Sequence, residues 1–230
     1  MVTLHHHPFC PHSRFVRLVL FERSLAFRLV EERFGQKRKE FLALSPEGAT
    51  PLLVDETGAA VPGEDVIVAF LDETRPSPPG SPNLLPSDPH ARVEARRLMR
   101  WFNGKMFHDS VRWILREKIE RRFLTRDQGG GAPDMEVVHA ARANLRHHLR
   151  YIGRLSAKRH WLAGEKLSYA DFAAAAQLSC VDYLGDAPWD ESQSAKDWYS
   201  RMKSRPGFRP ILSERVPGLT PSATYADLDF

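Results

Sequence analysis

Residues 2–13 read Val-Thr-Leu-His-His-His-Pro-Phe-Cys-Pro-His-Ser, and this stretch decides the fold of the first third of the chain. The run from Val2 to His6 has the length and the residue types of a β-strand. Residues 13–23 come next, with apolar side chains at helical spacing, namely Phe15, Val16, Val19 and Leu20. Cys10-Pro-His-Ser13 therefore lies where a strand runs into the N-terminus of a helix.

The segments downstream continue this alternation of short strands and helices. We predict a strand over residues 26–31, a short helix ending at residue 44, two paired strands at 51–55 and 58–61, and a helix over 65–73. The predicted order of elements is βαβαββα, which is typical of an α/β domain.

A proline-rich stretch ends this first domain. It carries six prolines between Arg75 and Pro89, and because proline lacks an amide donor and fixes φ, neither a helix nor a central strand can form there. We predict that residues 79–89 are a linker that joins a first domain of residues 1–78 to the remainder of the chain.

The rest of the chain has the apolar spacing of helices. One long helical segment is predicted around residues 98–123, with a bend or break near Asn103-Gly104, and further helices begin at Asp134, Ser168 and Ala195. The fold class is therefore α/β plus all-α, with a helical domain over residues 90–215 and an extended C-terminal tail over residues 216–230.

The composition favours a soluble protein of a reducing compartment. The net charge of +4 describes a mixed surface, so nucleic acid is not an expected partner. Cys10 and Cys180 lie far apart and the start of the chain has no signal-like pattern, so we expect free thiols and a cytoplasmic location. No apolar run reaches the roughly 18–20 residues that span a membrane, so we expect no membrane insertion.

Three consecutive histidines, His5, His6 and His7, suggest a metal site at first sight. On a strand, however, His5 and His7 face one side and His6 faces the other, which is poor geometry for three ligands. We therefore expect no metal and no other cofactor.

Cys10 is the first candidate for chemistry. At a helix N-terminus the unpaired amides and the helix dipole favour a thiolate, so the pKa of this thiol should fall below the ordinary value of about 8.5. Cys10 is then either a nucleophile, with Ser13 beside it, or an inert small residue at the start of a helix.

Four local motifs together resemble those of the glutathione S-transferases. They are Cys10-Pro-His-Ser13, Gly48-Ala-Thr-Pro51-Leu-Leu, the helix start Glu64-Asp65, and Trp161-Leu-Ala-Gly-Glu-Lys-Leu-Ser168-Tyr-Ala-Asp171-Phe. The resemblance implies a thioredoxin-like N-terminal domain followed by a helical bundle, the glutathione S-transferase fold.

The resemblance also implies a glutathione site at Cys10, Thr50, Pro51, Glu64 and Asp65. A cis Thr50–Pro51 peptide would present a backbone amide to the thiol peptide, and Glu64 would receive its ammonium group. The family usually has Ser or Thr where Asp65 stands, and a second carboxylate there would repel the γ-glutamyl carboxylate. Glutathione is therefore a possible ligand, but the carboxylate of Asp65 disfavours its turnover.

Two further residues of these motifs have a structural interpretation. Ser168 and Asp171 have the spacing of a capping box, in which each side chain accepts from the other's backbone amide. We predict that this pair stabilises a helix start.

The long helical segment is strongly basic. Between Arg92 and Arg126 it carries eleven Lys or Arg residues against four acidic residues. This face is either simply solvated or a docking surface for an acidic protein, and Arg112, Arg116 and Arg122 are the candidate contacts.

A narrower resemblance extends over nearly the whole chain. It is to a glutathione-transferase-like branch of cell-division proteins in alphaproteobacteria that bind filaments of the tubulin homologue FtsZ, and it rests on the segments 94–108, 117–123, 148–152, 182–190, 196–199, 203–206 and 225–230. It implies a homodimer at the division site that binds and curves FtsZ filaments, promotes constriction and needs no transferase activity.

The same resemblance assigns a signalling role toward the division machinery to the end of the tail, at Tyr225, Asp227, Asp229 and Phe230. An acidic-hydrophobic peptide of this kind can dock in a partner's groove, and the alternative is a strand or coil packed on its own domain. The alternative for the protein as a whole is a glutathione S-transferase or thiol transferase that uses Cys10.

Overall fold

The computed structural model describes residues 1–36, 38–76 and 83–228. The chain divides into two compact units, Met1–Pro82 and Asn83–Phe230.

The first unit has the predicted βαβαββα order. Its elements are β1 (Val2–His6), α1 (Pro11–Glu22), β2 (Phe27–Glu31), α2 (Lys39–Leu44), β3 (Leu52–Val54), β4 (Ala60–Pro62) and α3 (Glu64–Thr74). The sheet order is β2-β1-β3-β4, with β1 parallel to β2 and antiparallel to β3. The short loop between β1 and α1 places Cys10 at the first residue before the helix.

The core of this unit lies between the sheet and the helices. Leu4 is fully buried at the centre of β1, opposite Leu29 of β2 and Leu53 of β3. Apolar residues of the two longer helices complete this core, among them Phe15, Val19, Ile67 and Leu71.

The second unit is helical. Its α-helices are α4 (Pro89–Arg100), α5 (Arg112–Leu115), α6 (Arg121–Phe123), α7 (Met135–Ser156), α8 (Tyr169–Tyr183), α9 (Gln193–Lys203) and α10 (Arg209–Ser213). Two π-helical stretches, Trp101–Val111 and Arg116–Glu120, join α4, α5 and α6 into one continuous rod. Of the predicted bend or break at Asn103-Gly104, the break does not occur, because the chain there widens into π turns and stays helical.

Helix α8 is the centre of the helical unit, and all of its residues are buried. The predicted capping box is present at its start, where the Ser168 amide donates to Asp171 Oδ2 over 3.0 Å. Asp171 Oδ1 also accepts from the Leu162 amide at 2.8 Å and from Trp198 Nε1 at 3.0 Å. The box therefore fixes both the helix start and the preceding loop.

Residues 216–228, which we call the C-terminal segment, come after the last helix and have no regular helical structure. The segment turns at Val216 and Leu219, which form an isolated β-bridge, and it buries Val216 and Tyr225. Over residues 216–228 the segment contains no helix and is packed on the helical unit.

Within the described ranges, no helix combines the length and the apolar character needed to cross a membrane.

Candidate functional site

Cys10 is the N-cap residue of α1. Its sulfur accepts from the Ser13 amide at 3.5 Å, and its thiol reaches the Thr50 carbonyl oxygen at 3.6 Å. The Thr50–Pro51 peptide is cis, as the sequence predicts. The structure therefore brings Cys10, Ser13, Thr50 and Pro51 together at the end of β1.

The Cys10 thiol is half-buried and free. Burial opposes its ionisation, but hydrogen bonds from His12 and Ser13 and the charge of His12 outweigh burial and lower the pKa of Cys10. This agrees in direction with the helix-start argument, and it adds a residue that the sequence pattern did not single out. His12 lies in the motif itself, and only the fold shows that its ring turns back toward the sulfur.

Glu64, the first residue of α3, lies 3.8 Å from His12 Nε2 through its Oε1 atom. Asp65 is exposed, and its Oδ1 accepts from the Val66 amide. The hydroxyl of Ser13 is buried and accepts from the His7 amide at 3.4 Å. Glu64 therefore already lies beside the His12 ring of its own chain, and the Ser13 hydroxyl is held by the backbone.

A cleft of about 230 Å³ lies beside Thr50, between the end of β1 and the loop after β2. Its acidic residue is Glu32, which is buried and accepts from His5 Nδ1 at 2.7 Å and from Arg38 Nη2 at 2.6 Å. Burial raises the pKa of Glu32, but these bonds and charges outweigh it and lower the pKa overall. The carboxylate of Glu32 therefore already has a cationic partner, Arg38, within the protein.

The three histidines separate as their alternation predicts. His5 binds Glu32, and His7 packs its ring against Phe34, which lines the same cleft. His6 is buried elsewhere, where burial and the charge of Arg17 lower its pKa to about 3. Across the described residues, no three His, Cys, Asp or Glu side chains are grouped to hold a metal ion.

The three arginines chosen from the basic segment have different surroundings. Arg112 stacks on the ring of Trp113 at 4.6 Å, and Arg116 is exposed. Both lie near Glu120, where burial raises the pKa of the carboxyl and the two charges oppose that rise. Arg122 instead donates from Nη2 to the Gly218 carbonyl at 3.1 Å. Arg122 therefore ties the long helical rod to the C-terminal segment.

Much of the remaining positive charge in this segment is paired. The pairs are Lys105 with Asp109 at 3.0 Å, Lys118 with Asp186 at 2.7 Å, and Arg121 with Glu117 at 2.9 Å. The excess of basic residues in the sequence therefore overstates the charge that a partner would meet.

The predicted tail residues also have different surroundings. Tyr225 is fully buried, donates from its hydroxyl to the Ile211 carbonyl at 2.8 Å and meets the ring of Tyr183 edge-on at 4.9 Å. Its ring is thus part of the helical unit. Asp227 is exposed, while Asp229 and Phe230 lie outside the described residues.

Comparisons with known proteins agree with these local features. The family models "Glutathione S-transferase, N-terminal domain" and "Glutathione S-transferase, C-terminal domain" match residues 4–79 and 113–206. The chain is 46% identical over 231 residues to "FtsZ-localized protein A" of Caulobacter vibrioides, covering 99% of this chain and 98% of that protein.

Solved structures give the same result. A glutathione S-transferase from Sinorhizobium meliloti is 47% identical with a TM-score of 0.92, and the match covers 100% of both chains. FzlA from C. crescentus is 46% identical with a TM-score of 0.91, covering 100% of this chain and 99% of that one.

Proposed function

The chain belongs to the glutathione S-transferase superfamily, and we propose that within this superfamily it is a cell-division regulator that binds FtsZ filaments. The main support is the similarity to FtsZ-localized protein A, because it covers 99% of the chain and thus includes both units and the C-terminal segment. The proposed action is to curve the filaments and promote constriction, in the cytoplasm at the division site and without transferase turnover.

The state of the Cys10 site supports a role other than glutathione turnover. Glu64, which would receive the ammonium group of glutathione, already lies beside His12, and Asp65 adds a second carboxylate at the same helix start. A ligand carboxylate arriving there would meet two negative charges.

The exposed basic face of the long helical rod is the proposed contact for an acidic filament. Arg112 and Arg116 are its centre, because each keeps its charge near the surface, and Arg122 flanks them. Opposite charge on the filament would steer association and make it sensitive to salt. Asp227, Asp229 and Phe230 are the proposed contacts of the chain end with other division proteins.

We also propose that the protein is a homodimer. The sequence of α3 carries four acidic residues and no basic residue, and its exposed side includes Asp65, Val66 and Glu73. The exposed side of α4 carries Val93, Arg96 and Arg100. These two surfaces are opposite in charge and each carries one exposed valine, so the proposed dimer packs α3 of one copy on α4 of a second copy, twice around a two-fold axis.

Co-sedimentation with polymerised FtsZ tests the main proposal. We expect the full-length protein to pellet with filaments, and Cys10→Ala to pellet equally well because the thiol is not needed. Failure of the wild-type protein to pellet at low salt would contradict the proposal.

A charge-reversal pair locates the contact surface. Arg112→Glu with Arg116→Glu should weaken pelleting about ten-fold or more and reduce its dependence on salt. The matched control is Arg28→Glu with Arg209→Glu, which makes the same change in net charge at exposed positions elsewhere. Equal losses in both double variants would show a general charge effect and would rule out this contact.

The second candidate function is a thiol transferase, which the half-buried, low-pKa thiol of Cys10 favours. It predicts turnover of an electrophile or a mixed disulfide with glutathione that Cys10→Ala abolishes. Such turnover, together with no binding to FtsZ, would replace the main proposal.

A further inference from the structure

The C-terminal segment is held by a lysine that is itself inside the protein. Lys203 is the last residue of α9 and is only 1% exposed. Its Nζ atom donates to the Thr224 carbonyl at 2.8 Å and to the Asp227 carbonyl by a short contact. The ammonium group also lies 5.4 Å from the ring centre of Tyr199. The chain thus bends around one ammonium group between residues 224 and 227.

A buried carboxylate holds the same segment from the other side. Asp182 lies on α8 and is fully buried. Its Oδ1 accepts from Thr224 Oγ1 at 2.8 Å and from Trp189 Nε1 at 2.9 Å, and its backbone carbonyl accepts from Ser222 Oγ at 2.6 Å. Burial raises the pKa of Asp182, and hydrogen bonds from Trp189 and Thr224 and then the charge of Lys203 oppose that rise.

These contacts make the helical unit and the segment depend on each other. A buried ammonium group is costly unless acceptors surround it, and here two acceptors are backbone carbonyls of the segment. Two backbone carbonyls continue the attachment, since that of Tyr183 accepts from the Ser222 amide and that of Leu219 accepts from Tyr183 Oη. Moving the segment away would strip Lys203 and Asp182 of these partners at once.

We infer that Lys203 and Asp182 form a seat that fixes the course of the C-terminal segment between Ser222 and Asp227. At the end of this bend, where the Asp227 carbonyl meets Lys203, the Asp227 side chain is exposed and Leu228 is 40% exposed. The seat therefore holds the backbone in place where the acidic side chain of Asp227 and the apolar side chain of Leu228 are exposed. Lys203 is a positioning residue, and the inference rests on the proposed function only for what this end contacts.

The chemistry of the presented end defines its partner. A receiving protein surface needs a cationic group for Asp227 and an apolar depression for Leu228. Because the segment is already held in place, binding of a partner removes less conformational entropy from it. Loss of the Lys203 or Asp182 contacts should therefore weaken this binding, even though the residues that contact the partner are unchanged.

Hydrogen exchange of the full-length protein, without any partner, tests the seat directly. Lys203→Met keeps the length and apolar stem of the side chain but removes the donors. We expect exchange at the Ser222 and Tyr225 amides to become about ten-fold faster or more, while α8 keeps its protection. Lys166→Met is the matched control, because Lys166 is exposed in the same unit, and it should leave both amides unchanged.

A second variant keeps the test decisive if Lys203→Met does not fold. Thr224→Val preserves the shape of the side chain and removes its hydroxyl bond to Asp182, and it should accelerate the same two amides. Wild-type exchange at Ser222 and Tyr225 in whichever of the two variants folds would overturn the seat.

The functional part of the test uses constriction rate in cells that depend on each full-length variant. Lys203→Met should slow constriction while its pelleting with FtsZ is retained, and the further loss on adding Lys203→Met to Asp227→Lys should be small, because both act through the same chain end. If Lys203→Met slows constriction equally in the wild-type protein and in Asp227→Lys, the two effects are additive, and Lys203 then contributes only to the stability of the protein. If the wild-type protein does not pellet with FtsZ, the proposed function is contradicted, while the conclusion from hydrogen exchange is unaffected.

Discussion

The Cys10 site and the C-terminal segment hold polar side chains in opposite ways. At the Cys10 site the thiol is half-buried, its contacts with Ser13 and Thr50 are weak sulfur hydrogen bonds of 3.5 and 3.6 Å, and Asp65 is exposed. At the segment, Asp182, Lys203 and Tyr225 are buried and bonded at about 2.8 Å to groups of the helical unit or the segment. Exposed groups can change at little cost to the fold, whereas buried bonded groups cannot.

The largest expected difference between the two regions is in stability, when one aspartate in each, Asp182 or Asp65, is replaced by alanine. Asp182→Ala should lower the free energy of unfolding by about 3–4 kcal/mol, because it removes the acceptor of the half-buried Trp189 indole and of the Thr224 hydroxyl and takes a negative charge away from Lys203. Asp65→Ala should change it by less than about 0.5 kcal/mol, because Asp65 is exposed. Urea denaturation of both variants measures this, and similar losses would break the comparison.

The next largest expected difference is in the reactivity of the two thiols, Cys10 and Cys180. Iodoacetamide should alkylate Cys10 at least about 100-fold faster than Cys180 in the native protein, because Cys180 is fully buried and reacts only on opening. His12→Ala should move the pH midpoint for Cys10 upward, since His12 helps to lower that pKa. An unchanged midpoint would remove His12 from the site.

His6 is one of the buried polar side chains of the first unit, and its burial gives that unit a pH-dependent stability. Its pKa of about 3 lies below the unfolded value of 6.5, so the unfolded chain takes up a proton first as the pH falls. The stability contribution is complete above pH 6.5 and is lost as the pH falls toward 3.

This loss should reach roughly 1.5 kcal/mol between pH 6.5 and pH 5.0. Urea denaturation at both pH values should show that His6→Asn removes about this much of the acid sensitivity. His139→Asn, at an exposed histidine, is the control and should keep it. An identical pH dependence in the two variants would argue against His6 as the source.

The smallest expected effect is on the stability of variants at Arg122 and Arg116 in the long helical rod. Arg122→Ala removes an exposed hydrogen bond to the Gly218 carbonyl and should cost about 0.5–1 kcal/mol, with faster exchange near residue 219. Arg116→Ala should cost less than about 0.5 kcal/mol. Equal exchange in both variants would show that Arg122 does not hold the segment.

Local signals in the sequence determined most of the fold. The order βαβαββα, the position of Cys10 at a helix start and the Ser168–Asp171 box arise from residue spacing and capping, which act over a few residues. The resemblance to glutathione S-transferases is confirmed by both family models. At Asn103-Gly104 the chain stays helical in π turns, which apolar spacing near 3.6 does not distinguish from α turns.

Tertiary structure alone decided which polar residues are inside. Lys203 has the sequence appearance of an ordinary cation in the last turn of a helix, yet its acceptors come from residues more than twenty positions later. Likewise His12 meets Glu64, and Tyr225 meets Ile211, only after distant elements pack together. Periodicity shows which face of an element is apolar, but the partner of a buried charge depends on contacts across the fold.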